Sequence, residues 1–311
     1  MKILMNVEVL LPTYNSEKFL REQLNSLLAQ TYQNFIILVR DGGSTDTTST
    51  ILDEFLNAYP EKICLIPSDG RSGFLENFGY LLNASCAEYT FFCDHDDIWL
   101  PEKIEKSLKK LWDLEKQYGK NSPCCVHCDL AIVDESEKIV NNSLHKAWNM
   151  GTTPEFSGYP VDIPLFGCTL AFNKCLKDKA LPLVKNCVYH DTWFARIAWY
   201  FGHVGFIPEP LIKYRIHGTN VSCNSTTGYP TVLFRHLRRW REARETLRLN
   251  LLNPQEVFLE RYSDELPEYH RRRLQVFAKW RQYGIVTRMF YMLKYRIHAN
   301  GMFRTVGLLF L

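Results

Sequence analysis

The chain has 311 residues, 46% apolar, 14% aromatic and 23% charged, which excludes disorder, collagen-like repeats and small disulfide scaffolds. Its net charge of +3 balances 37 Lys and Arg against 34 Asp and Glu, but unevenly. From Arg235 onward 16 basic residues face 7 acidic ones, a local +9, while the first 234 residues carry 21 against 27, a local −6.

The opening Met1–Asn6 is charged early and lacks the apolar run of a secretory signal, so the ten cysteines are expected to stay reduced in the cytoplasm. An apolar run at Val7–Leu11, stopped by Pro12, predicts a buried parallel strand. A helix is expected from Ser16, with Phe19, Leu20, Leu24, Leu27 and Leu28 on one face. Phe35–Val39 predicts the second strand and Asp41–Asp46 the turn after it, where Asp46 can cap a helix burying Ile51, Leu52, Phe55 and Leu56. A third strand at Ile63–Ile66, a helix striped by Phe74, Phe78 and Leu82, and a fourth strand at Tyr89–Cys93 follow. Beyond Asp94-His95-Asp96-Asp97, Pro101 opens a helix with Ile104, Leu108 and Leu111 inward. Further strands are expected at Cys124–Val133, Leu165–Phe172 and Val204–Ile207, with a helix from Thr192. Cys125-Val126-His127-Cys128 looks like half a zinc knuckle, but no second pair follows at structural spacing, so buried strand thiols are the expectation. No stretch reaches the ~18 uninterrupted apolar residues of a spanning helix.

Strand–helix repetition of this kind predicts an α/β fold with a doubly wound, mostly parallel sheet, whose ligands sit beyond the carboxyl ends of the strands. Thr13-Tyr14-Asn15, Asp41–Asp46, Ser68–Gly73 and Asp94–Asp97 all fall at such ends. Asp94, Asp96 and Asp97 stand within four residues between apolar runs, and their repulsion is relieved by a hard divalent cation, Mg²⁺ or Mn²⁺. The alternative for Asp96 or Asp97 is helix capping before Pro101.

Leu11-Pro12-Thr13-Tyr14-Asn15, Arg40–Asp46 and Phe92–Pro101 resemble the ordered motifs of glycosyltransferase family 2, the nucleotide-sugar-dependent group with the GT-A fold. Gly167-Cys168-Thr169, His190-Asp191-Thr192-Trp193 and Tyr214–Val221 agree, the aspartate-rich and His-Asp-x-Trp forms being closest to the rhamnosyltransferase-like branch. The resemblance covers residues 7–222. It implies that Pro12, Thr13, Tyr14 and Asn15 border the nucleotide, Asp41 lies near the base or ribose, and Asp94 faces the ribose or donor sugar. It implies Asp96 as metal ligand, with His217 as a second contact to metal or diphosphate, and Asp191 as catalytic base. Arg71 faces either the nucleotide or solvent. Trp193 is either an apolar platform for an acceptor sugar, beside Asp97, or a core aromatic. Where the family usually carries paired aspartates, this chain reads Asp41-Gly42, so nucleobase recognition departs from the usual pattern.

The function implied is inverting, metal-dependent transfer of a sugar from dTDP-rhamnose or a UDP-sugar, such as UDP-hexose or UDP-N-acetylhexosamine, to a glycan or lipid-linked glycan in cell-surface polysaccharide synthesis. A nucleotidyltransferase would want a Gly-rich phosphate loop with a basic residue near the first strand, and Leu11–Asn15 offers none. A catalytically silent sugar-nucleotide binder would lack the base or the metal acid; Asp191 and Asp96 are both present. The expected domains are a catalytic body over 1–230, divided into a nucleotide-sugar half (1–120) and an acceptor half (121–230), and a basic helical region over 231–311. For that region, with Arg235–Arg248 and the aromatic-rich Phe290–Arg296, three readings stand: helices packed on the body, an amphipathic anchor to an anionic membrane on the inner face of the plasma membrane, and nucleic-acid binding, the last disfavoured because no recognised module accompanies the charge.

Overall fold

The computed structural model describes residues 6–68, 70, 73–147, 159–160, 165–184, 189–218, 253–298 and 302–310. The chain divides into two compact units. One comprises Met1–His145, Leu165–Leu183 and His190–Thr226; the other comprises Lys146–Pro164, Val184–Tyr189 and Thr227–Leu311. The C-terminal region thus shares its unit with two earlier segments.

The first unit is built on one sheet of nine strands: β1 (Val7–Thr13), β2 (Ile36–Asp41), β3 (Ile63–Leu65), β4 (Tyr89–Phe92), β5 (Ile98–Trp99), β6 (Cys124–Val133), β7 (Ile139–Asn141), β9 (Ala171–Asn173) and β10 (His203–Arg215). The short β8 (Tyr159–Pro160) belongs to the second unit. The order is β3-β2-β1-β4-β9-β6-β10-β5, with β7 on β6. Strands β3, β2, β1 and β4 run parallel, β9 is antiparallel to both its neighbours, and β6 and β10 are parallel to each other. Two reversals across β9 leave β6 and β10 pointing the same way as β4. The carboxyl ends of β1, β2, β4 and β10 therefore lie along one edge.

Helices α1 (Leu20–Leu28), α2 (Thr48–Ala58), α3 (Phe74–Ala84), α4 (Lys103–Tyr118), α5 (Leu144–Ala147), α6 (Lys174–Ala180) and α7 (His190–Phe201) accompany the sheet. Val9, Leu10, Leu11, Ile37, Val39, Phe91 and Phe92 are buried in its first half, facing helix residues such as Leu24, Leu27, Phe78, Leu81 and Leu108 that are buried as well. The Cys125–Cys128 stretch is buried strand, and the eight cysteines of the described residues are free thiols.

Three elements differ from expectation. The first helix begins at Leu20, four residues late, because Ser16 and Glu17 bond to the loop ahead of α2: Thr48 Oγ1 accepts from Ser16 N–H (2.7 Å) and Asp46 from Glu17 N–H (3.1 Å). Leu165–Phe172 is not a continuous strand. Phe166 O accepts the Thr169 amide (2.9 Å) and hydroxyl (2.7 Å), closing a 3₁₀ turn over Gly167–Thr169 before β9. Strand β10 continues past Pro208 and Pro210, where sequence punctuation would end it, because register shifts on either side of Pro210, which stays opposite Asp129, absorb the interruption and skip Pro208.

The second unit includes α8 (Asn253–Tyr262), α9 (Glu268–Ala278), α10 (Ile285–Tyr295) and α11 (Met302–Gly307), with β11 (Ile297–His298) pairing β8. Its buried residues include Phe258, Leu274, Phe277, Trp280 and Tyr295. Among the described residues no helix is long and apolar enough to cross a membrane.

Gly202 joins α7 to β10 where the chain passes Pro123. A Cβ on Gly202 would lie 1.8 Å from Pro123 O, the carbonyl that accepts His203 N–H at 2.8 Å. Gly202→Ala must therefore move backbone, and is expected to cost about 3 kcal/mol; urea unfolding measures this, and an unchanged midpoint would refute the close approach.

Candidate active site

The edge is assembled from two laced loops and one acidic strand end. Parallel register sets Thr13 beside Asp41. Thr13 Oγ1 (2.9 Å) and Ser44 Oγ (2.6 Å) donate to Asp41 Oδ1, and the amides of Gly43 (3.2 Å) and Ser44 (2.8 Å) donate to Oδ2. These four bonds occupy both carboxylate oxygens, so the half-buried Asp41 builds the turn at the sheet edge where it is expected to lie near the base or ribose. Asn15, at φ 46°, donates its amide to Ser44 Oγ (2.8 Å) and accepts from Thr45 N–H through Oδ1 (2.9 Å). Glu17 accepts the amide (3.0 Å) and hydroxyl (2.8 Å) of Thr47, while Asp46 accepts Thr48 N–H (3.0 Å) at the start of α2. Pro12 and Thr13 are buried in β1; Tyr14 is exposed at the tip.

At the end of β4 the chain places Asp94, Asp96 and Asp97 in three environments. Asp94 is pushed up to about 8 by burial, then by the charges of Asp96 and Asp191. Burial also opposes charge on Asp96, but the bond with His217, Nε2 to Oδ2 at 2.9 Å, and the neighbouring His95 ring hold its carboxyl below the ordinary value. His95 in turn bonds the Pro12 backbone, tying this segment to β1. Asp97 is fully buried; burial, Asp96 and Asp94 push its carboxyl well up, and its Oδ1 accepts Arg215 N–H at 3.3 Å. It faces the protein interior, so its expected contact with an acceptor is corrected.

Arg215, the last residue of β10, lies in the Tyr214–Val221 motif, whose resemblance assigns it no role. Buried, it donates Nε to Asp96 O (3.2 Å) and Nη1 to Glu135 O (2.9 Å), and pairs through Nη2 with Glu22, with its guanidinium 4.6 Å from the Phe19 ring centre. It fastens the acidic segment to α1 and β10. Beneath, the Lys103 ammonium is buried without a hydrogen-bond partner, 3.5 Å from the Trp99 ring centre and 5.0 Å from that of Phe91. Burial lowers its pKa.

Asp191 stands in the first turn of α7. Burial pushes its carboxyl up to about 6, against amide bonds from Thr192 (Oδ1 2.6 Å) and Gly167. Its position depends on His190, whose ring is buried, stacked on Phe78 (3.8 Å between centres), edge-on to Phe92 (4.4 Å) and 5.3 Å from Phe74. A Cβ on Gly167 would lie 3.0 Å from His190 Nε2, so the turn and the ring need that glycine to approach so closely. Neither His190 nitrogen has a hydrogen-bond partner, and burial lowers the ring to about 3, so it is neutral in the working range. Trp193, next on the helix, is 0% exposed and donates Nε1–H to Ala180 O at 3.2 Å. It is a core aromatic, which corrects its reading as an acceptor platform.

The structure thus brings Asp94, Asp96, Asp191 and His217 together, and Thr13, Tyr14 and Asn15 onto the same sheet edge; Arg71 and Arg235–Arg248 lie outside the described residues. Ligand atoms of Asp94, Asp97 and Cys168 also lie within 4.8 Å of one another, but a thiol there suits neither Mg²⁺ nor Mn²⁺. Burial raises Asp94 first and the charges of Asp96 and Asp191 second; a cation would relieve the latter, and Asp96 and His217 could offer it one oxygen and one nitrogen.

Comparison with known proteins agrees with this architecture. Residues 8–118 match the family model "Glycosyl transferase family 2". An uncharacterized glycosyltransferase of Rickettsia typhi is 30% identical over 241 residues, 72% of this chain and 69% of that protein. The dTDP-rhamnosyl transferase RfbG of Shigella flexneri is 36% identical over 100 residues, 31% of this chain and 35% of that one. Among solved structures, S. aureus TarS 1–349 in complex with UDP-GlcNAc superposes over 89% of this chain and 72% of its own, with TM-score 0.60 at 17% identity. Mannosyltransferase PcManGT from Pyrobaculum calidifontis, in complex with GDP-Man and Mn²⁺, covers 93% of this chain and 73% of its own, with TM-score 0.57 at 16% identity. The shared fold is GT-A-like.

His190 yields a sign-defined test. Its pKa is lowered on folding, so the unfolded chain binds more protons between roughly pH 6.5, the ordinary histidine value, and about 3, and stability is lost as the pH drops through that window. His190→Phe keeps the ring contacts and removes the titration. Its acid-unfolding midpoint, followed by circular dichroism, is expected below that of the wild type, with little difference at pH 7. An identical acid transition would contradict the buried neutral ring.

Proposed function

The chain belongs to glycosyl transferase family 2, whose members use nucleotide-sugar donors, and from that premise we propose that it is an inverting, metal-dependent transferase acting on a glycan hydroxyl. The observation that carries the reading is the buried Asp191, tuned to about 6 and close enough to Asp94 to raise its pKa. A group with that value is ionised at neutral pH yet far more basic than an ordinary aspartate, as a general base requires. Asp191 takes the proton of the acceptor hydroxyl as that oxygen attacks the anomeric carbon. The new carbon–oxygen bond forms opposite the bond breaking to the nucleoside diphosphate, so one displacement inverts the centre. One base suffices, and no nucleophilic carboxylate is needed.

Asp96 and His217 hold Mg²⁺ or Mn²⁺ in this reading, which supplies positive charge to the departing diphosphate. Asp94 faces the donor sugar or ribose, and Thr13, Tyr14 and Asn15 border the nucleotide. The RfbG similarity and the branch motifs support dTDP-rhamnose as donor, with a UDP-sugar as the alternative supported by the likeness to TarS. The acceptor is a glycan or lipid-linked glycan of cell-surface polysaccharide synthesis, met from the cytoplasmic side.

Asp191→Asn is expected to keep nucleotide binding and lose transfer by about 10³-fold, within the usual range for a general base. In the wild type, kcat/KM for transfer should rise with pH through about 6 as Asp191 ionises, and then level. Retained turnover in the variant refutes the base. Separately, thermal-shift screening with dTDP, UDP and GDP, each with and without Mn²⁺, should find at least one nucleotide that stabilises the protein more with the ion. Asp96→Asn should abolish the Mn²⁺-dependent part, and an unchanged increment would remove Asp96 from the metal site.

A further inference from the structure

Helix α10 turns one side inward and the other outward. Inward, Tyr295 is buried, and Arg288 is buried with Nε donating to Trp280 O (3.0 Å) and Nη1 to Leu309 O (2.7 Å). Outward stand Ile285, Val286, Met289, Phe290 and Leu293, with Val286 and Leu293 each 81% exposed and Phe290 57%. At 3.6 residues per turn these five positions share an arc of about 140°. A contiguous face of large apolar side chains on a helix clamped from behind is not a scatter of surface hydrophobics; it fits a partner.

The charge around it decides which partner. From Tyr269 to Leu311 the chain has nine Lys and Arg and no Asp or Glu. Lys279, Arg281, Lys294 and Arg296 are exposed near the ends of the helix or on it, and the Lys294 ammonium lies 5.6 Å from the ring centre of Phe290, its stem along the margin of the apolar face. A second copy packing on this face would set two wholly basic segments against each other. A nucleic acid would satisfy the cations but leave Val286, Met289 and Leu293 unmatched. An anionic bilayer answers both features: apolar side chains enter the boundary between headgroups and acyl chains, and the cations stay among the phosphates. We infer that α10 is an interfacial helix that docks this protein on anionic lipid through Ile285, Val286, Met289, Phe290 and Leu293.

The test is sedimentation of the full chain with vesicles of phosphatidylcholine alone and of phosphatidylcholine mixed with phosphatidylglycerol. Binding is expected to the mixed vesicles, at least tenfold stronger than to the neutral ones, and to weaken at high salt. Val286→Asp combined with Leu293→Asp should reduce it at least tenfold. Both positions are exposed, so the melting temperature should hold. If it does not, Arg281→Glu with Lys294→Glu carries the same test from the charge side. Absence of vesicle binding overturns the inference, as does undiminished binding by both double variants. So does sedimentation velocity showing a wild-type dimer that the Val286/Leu293 variant loses, which would assign the face to a second copy. Nucleotide-dependent thermal shifts of the same samples report the transferase reading independently, so loss of docking with retained shifts counts against docking alone.

Discussion

Carboxylates held close at the mouth of a buried strand repel one another, and much of the first unit serves to hold Asp94, Asp96 and Asp191 together despite it. Left to relax, the segment after β4 would swing its charges into water. Three devices prevent this. Arg215 grips the Asp96 carbonyl and the Asp97 carboxylate from the end of β10, His217 pairs with Asp96, and His95 bonds back to β1. None of these contacts neutralises Asp94, whose pKa is raised by burial first and then by the charges of Asp96 and Asp191. The acidic segment is therefore held in place without its charge being fully balanced by the side chains around it.

Asp191 reaches the same place by an apolar route. Its neighbour His190 is wedged among Phe74, Phe78 and Phe92 and against Gly167, so the first turn of α7 is positioned by ring packing, while the Gly167 and Thr192 amides orient the carboxylate. Lys103 adds a buried ammonium cradled by Trp99 and Phe91 beneath the acidic segment. Polar fastening on one side and aromatic packing on the other hold the acidic segment and Asp191 in register.

The parallel half of the sheet was legible because each of its strands is an apolar run cut off by a polar cluster, and such clusters mark strand ends. The order of motifs, rather than any single one, singles out Asp96, Asp191 and His217, which the fold brings to one edge. What was hidden depends on partners distant in sequence. The apolar Leu165–Phe172 stretch reads as strand, yet a local bond from Thr169 to Phe166 makes it a turn. Pro208 and Pro210 look like terminators, yet bulges carry β10 past them. Trp193 has the same one-letter signature whether it faces a sugar or the core, and only the packing of α7 decides. Asp97 and Arg215 sit in motifs that name the neighbourhood but not which way each side chain turns.

The loops that follow β1 and β2 are fastened chiefly to each other. Thr13, Glu17, Asp41, Ser44, Asp46 and Thr48 bond to one another across them, and Asp41 accepts four bonds. A chain with the more usual second aspartate could spare one carboxylate to read a base; this one has Gly42 there. Exchanges at the exposed tip, around Tyr14, leave these fasteners untouched, so the surface this edge presents can change without first surviving a loss of stability.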